Sequence, residues 1–175
     1  AVHCLEVGGI LAYPTEAVYG LGCDPLDAAA VLRLLEIKGR RLDKGLILIA
    51  SDWAQITPFV DALTPAERRR LEATWPGPVT WTLPARPDTP AWLTGGRDTL
   101  AVRLTDHPVA RALCRRWGGP LVSTSANRTG QHPARTPLEV RLRCPGVDAI
   151  VCGKLGDLRN PTPIRDALTG HRVRA

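Results

Sequence analysis

The chain has 175 residues, 44% of them hydrophobic and 23% charged, with a net charge of +6. That composition excludes a disordered chain, the length suffices to bury one core, and no apolar run approaches the roughly 20 residues of a membrane span. The positive balance suits an anionic partner such as nucleotide or nucleic acid, and equally a solvated, Arg-rich surface.

In chain order, "GGILAY" (8–13) reads as a strand. "DPLDAAAVLRLLEIK" (24–38) reads as a helix with Val31, Leu34 and Leu35 on one face and Asp24 or Asp27 near its start. "GLILIA" (45–50) is apolar throughout, the pattern of a strand buried on both faces. "TPAERRRLEATW" (64–75) opens with Thr64, Pro65 and Glu67, a capping box with proline at the first helical position. Strands follow at "PVTWTLPA" (78–85) and "TLAVRLT" (99–105). "DHPVARALCRRWGG" (106–119) predicts a helix closed by glycines, and "PLVSTS" (120–125) a strand. "TPLEVRLRC" (136–144) repeats the capping logic through Thr136, Pro137 and Glu139, and "DAIVCG" (148–153) and "HRVRA" (171–175) are late strands. The Pro/Gly-rich stretches 84–98 and 153–163 read as the most mobile loops, with a lid conceivable over 87–98. This alternation predicts one α/β (α+β) domain over residues 1–175. Its sheet should be mixed, because the strands at 78–85 and 99–105 have no helix between them.

Five scattered cysteines, Cys4, Cys23, Cys114, Cys144 and Cys152, form no CxxC motif. They read as free thiols of a reducing cytoplasm rather than as a zinc ribbon or a redox pair. "GGILAYP" is too short for a signal-peptide core and no basic stretch precedes it.

Four segments can carry chemistry. In "AYPTEAVYGLGCDP" a strand end is followed by Thr15, Glu16 and the glycines Gly20 and Gly22. Thr15 can simply cap a turn, or the group can line a ligand site at a strand end. Neither G-x-G-x-x-G nor the Walker sequence is completed. In "KGRRLDKG" (38–45), Lys38, Arg40, Arg41 and Lys44 either cap a helix C-terminus in solvent or, turned by Gly39, converge on one phosphate chain. Arg103 lies inside a β-run, either salt-bridged or offering its planar fork to a carboxylate, and His107 reads as structural. "STSAN" (123–127) lacks a G-x-S-x-G elbow, and the histidines at 3, 107, 132 and 171 identify no base by spacing. Its hydroxyls and backbone N–H groups suit an anion instead, with Ser123 and Ser125 expected on one strand face and Thr124 on the other. "RRR" (68–70) and "CRRW" (114–117) read as solvated faces, without the aromatic interleaving of RNA-binding sheets.

The motifs "YPTEAVYGLGCD", "KGRRLDKGLILIA", "WPGPVTWTLPA", "LAVRLTDHP", "LVSTSANRTG" and "IRDALTG" stand in this order along nearly the whole chain. In them the chain resembles the YrdC-like family, in its short, single-domain threonylcarbamoyl-AMP synthase branch (TsaC type). The resemblance implies a YrdC-like fold, a twisted mixed sheet with flanking helices around a large concave basic pocket. It implies that L-threonine, bicarbonate and ATP give threonylcarbamoyl-AMP and pyrophosphate, and that partner proteins transfer the group to tRNA. Magnesium would come with ATP, with no tightly bound cofactor and no protein-held metal.

Carried over by motif, Lys38 and Arg40 would be catalytic and contact the nucleotide phosphates. Ser123, Ser125 and Asn127 would line the nucleotide site, with Thr99 beside them on a looser alignment. Thr15, Arg103, Ser123 and Thr162 would hold threonine, Arg103 through its carboxylate. Lys44 stands where longer relatives often carry His, and their extra C-terminal domain is not in this sequence. Two alternatives remain in view: a tRNA or double-stranded RNA-binding module without adenylation activity, and a carbamoyl-adenylate domain of the hydrogenase-maturation type.

Overall fold

The computed structural model describes residues 1–174. Nine strands form one sheet: β1 (Leu11–Pro14), β2 (Tyr19–Gly22), β3 (Ile47–Ala50), β4 (Thr80–Pro84), β5 (Thr99–Leu104), β6 (Leu121–Ser125), β7 (Ala149–Ile150), β8 (Ile164–Asp166) and β9 (Arg172–Arg174). Their order is β7-β1-β2-β6-β3-β5-β4-β8-β9. The sheet is mixed: β1–β7, β3–β5 and β4–β8 pair parallel, the other neighbours antiparallel. The helices are α1 (Val2–Glu6), α2 (Ala28–Lys38), α3 (Pro65–Glu72), α4 (Ala91–Thr94), α5 (Pro108–Trp117) and α6 (Pro137–Arg143).

Local chemistry sets these boundaries. Asp27, not Asp24, caps α2 by accepting from Ala30 N, and Gly39 ends the helix at φ 56°. Asp24 instead accepts from Leu26 N in the turn before it. Thr64 and Glu67 make the full capping box of α3. At α6 only half of the box forms: Thr136 accepts from Glu139 N, while the Glu139 carboxylate accepts from Arg135 N. Gly118 closes α5 at φ 82°.

Side chains alternate across each strand, so the sheet has two distinct faces. Leu21, Leu48, Val102 and Val122 point to one of them. There they join Val31, Leu34 and Leu35 of α2, Leu71 of α3 and Val140 of α6 in the main core. Each such side chain contributes roughly 1.5–3 kcal/mol on burial. Leu11, Tyr13, Ile49 and Leu121 point to the other face, where Leu5 of α1 and Ala110 and Leu113 of α5 cover them. Ile47, Ala101, Arg103 and Ser123 have the same strand parity. They extend that second face past the small α1/α5 cluster, and the cavity described below opens there.

Four elements escape the sequence pattern. β2 lies in what reads as a glycine-rich loop, and β8 in the "IRDALTG" stretch. α1 and α4 are single short turns of helix. The first strand begins at Leu11, because Gly8 turns the chain at φ 73°. The 84–98 stretch is anchored in its second half: Leu93 is buried, its carbonyl accepts from Leu46 N, and Trp92 Nε1 donates to Pro25 O, while residues 86–88 and 96–98 are exposed. The last predicted strand is β9, with Ala175 outside the described residues.

Candidate functional site

Where the second face is uncovered, a cavity of about 230 Å³ opens. Its charged lining is Arg40 and Arg103, its polar lining the hydroxyl residues Thr15, Ser123, Thr124, Ser125 and Thr162, and among the described residues no carboxylate lines it. Arg40, Leu46 and Ile47 also line an adjoining cavity of about 430 Å³, to which Lys44, Arg97 and Thr99 contribute.

Six of the nine residues singled out in the sequence, Thr15, Arg40, Arg103, Ser123, Ser125 and Thr162, therefore meet around one cavity. Thr15 is buried and its Oγ1 donates to Val18 O at 2.7 Å, which closes the turn from β1 into β2. Arg40 follows the αL residue Gly39 and donates through Nη2 to Gly45 O at 3.0 Å. Arg103 is both salt-bridged and cavity-lining. Its Nη1 donates to Thr162 Oγ1 at 2.8 Å and its Nη2 lies 3.1 Å from Glu16 Oε2. Its buried Nε has no hydrogen-bond partner.

Three predicted residues sit elsewhere. Thr99 lines the adjoining cavity and not the main one. Lys38 and Asn127 line neither. The Lys38 ammonium is turned onto the end of β6, donating to Ser125 O, to Asn127 O at 2.9 Å and to Asn127 Oδ1 at 3.4 Å. Thr129 returns the contact, donating through N (2.7 Å) and Oγ1 (3.1 Å) to Lys38 O. Ser125 Oγ donates to Asn127 Oδ1 at 2.6 Å. Lys38 thus clips the end of α2 to the turn after β6. Burial, helped by the Arg40 charge, lowers its pKa to about 8.

Strand register divides the β6 hydroxyl residues as expected, since Ser123 pairs with Ile47 and Ser125 with Gly20, whereas Thr124 pairs with Leu21 of the main-core face; Thr124 lines the cavity all the same. The cavity wraps the end of the strand, where lining no longer follows one face. Residue reasoning placed Gly20 at a ligand site, and it lines the cavity, but it missed Leu46, Ile47 and Pro161 in the lining, and Glu16 as the partner of Arg103. The P-T-E motif signals Glu16, but nothing local connects it to an arginine on β5. His107 is buried, with Nε2 3.1 Å from Lys154 O, a structural placement.

The Sua5/YciO/YrdC family model, described as "Telomere recombination", matches residues 3–174. Threonylcarbamoyl-AMP synthase from Coxiella burnetii (strain RSA 493) is 51% identical over 99% of this chain and 94% of its own length. The synthase from Nitrosococcus oceani is 54% identical over 99% of this chain and 95% of its own. That from Halorhodospira halophila is 55% identical over 97% and 90%. Among solved structures, P. abyssi Sua5 complexed with L-threonine superposes with a TM-score of 0.88 at 31% identity, over 94% of this chain and 49% of that one. This chain thus spans about half the length of that Sua5. E. coli YciO gives a TM-score of 0.82 at 26% identity, over 99% of this chain and 88% of that one. Full-length HypF, at 21% identity and a TM-score of 0.80, shares the fold. The chain belongs to the Sua5/YciO/YrdC family.

Proposed function

We propose that this chain is a threonylcarbamoyl-AMP synthase, acting as one YrdC-like domain on L-threonine, bicarbonate and ATP. The observation that carries the reading is the cavity itself, with two arginines, a rim of hydroxyls and no carboxylate in its lining. Such a donor set suits a carboxylate and a phosphate chain bound side by side. Relatives named for this activity are 51–55% identical over nearly the full chain, which supports it.

The steps follow from the chemistry. Threonine's free amine adds to carbon dioxide derived from bicarbonate; a nitrogen–carbon bond forms and the nitrogen releases a proton to solvent. A carbamate oxygen then attacks the α-phosphorus of ATP. The bond from that phosphorus to the oxygen bridging to the β-phosphate breaks, and the electron pair leaves with pyrophosphate. Negative charge grows on the phosphoryl oxygens and on the leaving group. Arg40, which lines both cavities, would meet the phosphates, together with Ser123, Ser125 and the turn carrying Asn127. One well-aimed donor contributes roughly 3 kcal/mol to such a step. Arg103, Thr15 and Thr162 would hold threonine, and fixing the short-lived carbamate in line with ATP adds a proximity term. Thr99 and Lys44 would serve the nucleotide from the adjoining cavity. Lys38 would act by holding the 125–129 turn in place.

Among the described residues, no group of three or more His, Cys, Asp or Glu converges to hold a metal. The cavity's cationic and hydroxyl donors do not fit a protein-held magnesium, so the ion would ride on the ATP phosphates, and no step here runs through it. The product would pass to the proteins that transfer the threonylcarbamoyl group to tRNA. Free thiols at all five cysteines suit work in the cytoplasm. No helix among the described residues is long and apolar enough to cross a membrane.

The test is product analysis with ATP, bicarbonate and, in turn, threonine, serine or carbamoyl phosphate. Threonine-dependent pyrophosphate and a threonylcarbamoyl-AMP mass are expected. Pyrophosphate release that ignores threonine, or needs carbamoyl phosphate, would overturn the reading.

A further inference from the structure

Glu16 stands behind Arg103. It does not line the cavity that Arg103 lines, but a separate one of about 290 Å³ bounded by His107 and by Gly156 and Asp157. The two side chains are 7% and 6% exposed, and Glu16 Oε2 lies 3.1 Å from Arg103 Nη2. Glu16 is itself held on two sides. Thr105 Oγ1 donates to Oε1 at 2.6 Å and accepts from His107 N at 3.2 Å, which ties the carboxylate to the start of α5. Its own carbonyl accepts from Leu158 N at 3.1 Å. On the far side of the guanidinium, Thr162 Oγ1 accepts from Arg103 Nη1 and lies 3.3 Å from Thr80 Oγ1.

We infer that Glu16 is a positioning residue, whose carboxylate fixes the Arg103 guanidinium from behind so that its remaining donors meet the substrate carboxylate. The inference rests on the function proposed above. A guanidinium carries five N–H donors in a rigid plane, so anchoring one edge aims the others. Without an anchor, Arg103 would have to be ordered at the moment of binding, at the expense of affinity. The pair also spares the site a lone buried cation. Thr105 extends the device, because its hydroxyl decides where the carboxylate sits.

Two variants test this, Glu16→Gln and Thr105→Val, the second altering no charge. Each is assayed for the KM of threonine, the KM of ATP and the melting temperature. Positioning predicts a threonine KM raised about 10-fold or more in both, with the ATP KM within two-fold of wild type. If Glu16→Gln does not fold, Thr105→Val carries the test. A lower melting temperature with both KM values unchanged would mean a structural pair only and overturn the inference. A lower threonine KM in Glu16→Gln would mean that Glu16 screens Arg103 rather than aims it, and would overturn it too. A wild type without threonine-dependent turnover would instead sink the function proposed above, and this inference with it.

Discussion

Among the described residues, Arg40 is the one cation shared by the two cavities, and it reaches that place because Gly39 takes a left-handed turn at the end of α2. An arginine at the junction of two spaces lined by cations and hydroxyl residues is best used where negative charge develops between them. Arg40→Ala should therefore cut threonine-dependent pyrophosphate release by about 100-fold or more, the usual loss for one donor to a developing charge. Ser125→Ala should cost less, because the Ser125 hydroxyl is spent in part on Asn127 Oδ1 at 2.6 Å. That bond is worth about 1 kcal/mol of stability, which a melting curve would register alongside the slower turnover. Full turnover in both purified variants would remove these residues from the site. Lys38 teaches a related point. A K-x-R pair in sequence suggests two equivalent phosphate ligands, yet the two side chains diverge. Helix geometry points Lys38 across to the β6 turn, whereas Arg40, already past the helix end, faces the cavity.

At the scale of elements, β2 shows what the sequence hides and why. "YGLG" has two glycines in four residues, a composition that disfavours a strand, and reads as a loop prepared for a ligand. It is a strand because its partners demand one: β2 lies between β1 and β6, and the Tyr13 ring of β1 lies across it. A Cβ on Gly22 would stand 2.3 Å from Val122 O and 2.9 Å from both Cε1 and Oη of Tyr13. The backbone carbonyl cannot yield without breaking the sheet. Gly22→Ala should therefore destabilise the protein by about 3 kcal/mol, measured by urea unfolding. A loss below about 0.5 kcal/mol would show that the strands can part to admit the methyl group. The helices α2, α3 and α5 were legible because their caps and apolar spacing are local signals, and β3, β4, β5 and β6 because their runs are long and β-rich. The pairing of Glu16 with Arg103, the recruitment of Pro161, and the short strands β2 and β8 depend on contacts far apart in the chain. No local pattern encodes them. The family motifs marked the cavity's residues without saying which of them face it.

For the molecule as a whole, burying ionisable groups carries a cost that pH should reveal. Clipping the end of α2 to the β6 turn leaves Lys38 buried at 3% exposure, its pKa lowered by burial, with Arg40 adding, from 10.5 to about 8. Below pH 8 the folded chain must hold that ammonium charged at a penalty the unfolded chain does not meet. Above pH 8 the folded state gives up the proton before the unfolded state does. The unfolded state then binds more protons, and stability rises with pH. Cys23 and Cys114 act in the opposite sense, since burial raises each thiol from 9.0 to about 12. Above pH 9 the unfolded chain ionises them first, and the folded state loses stability at up to about 1.4 kcal/mol per pH unit for each thiol. Burial also raises the Cys4 and Cys144 thiols, which act in the same sense; the thiols together outweigh one amine, so stability should rise up to a peak between pH 8 and 9 and then fall. The rise amounts to less than about 1 kcal/mol. Urea midpoints of the reduced protein, taken between pH 7 and 10 at constant ionic strength, would display the peak. Lys38→Met should abolish the rising limb and keep the fall. A wild-type profile that declines steadily from pH 8, matching that of Lys38→Met, would mean that Lys38 keeps its proton well above pH 8 in the folded protein.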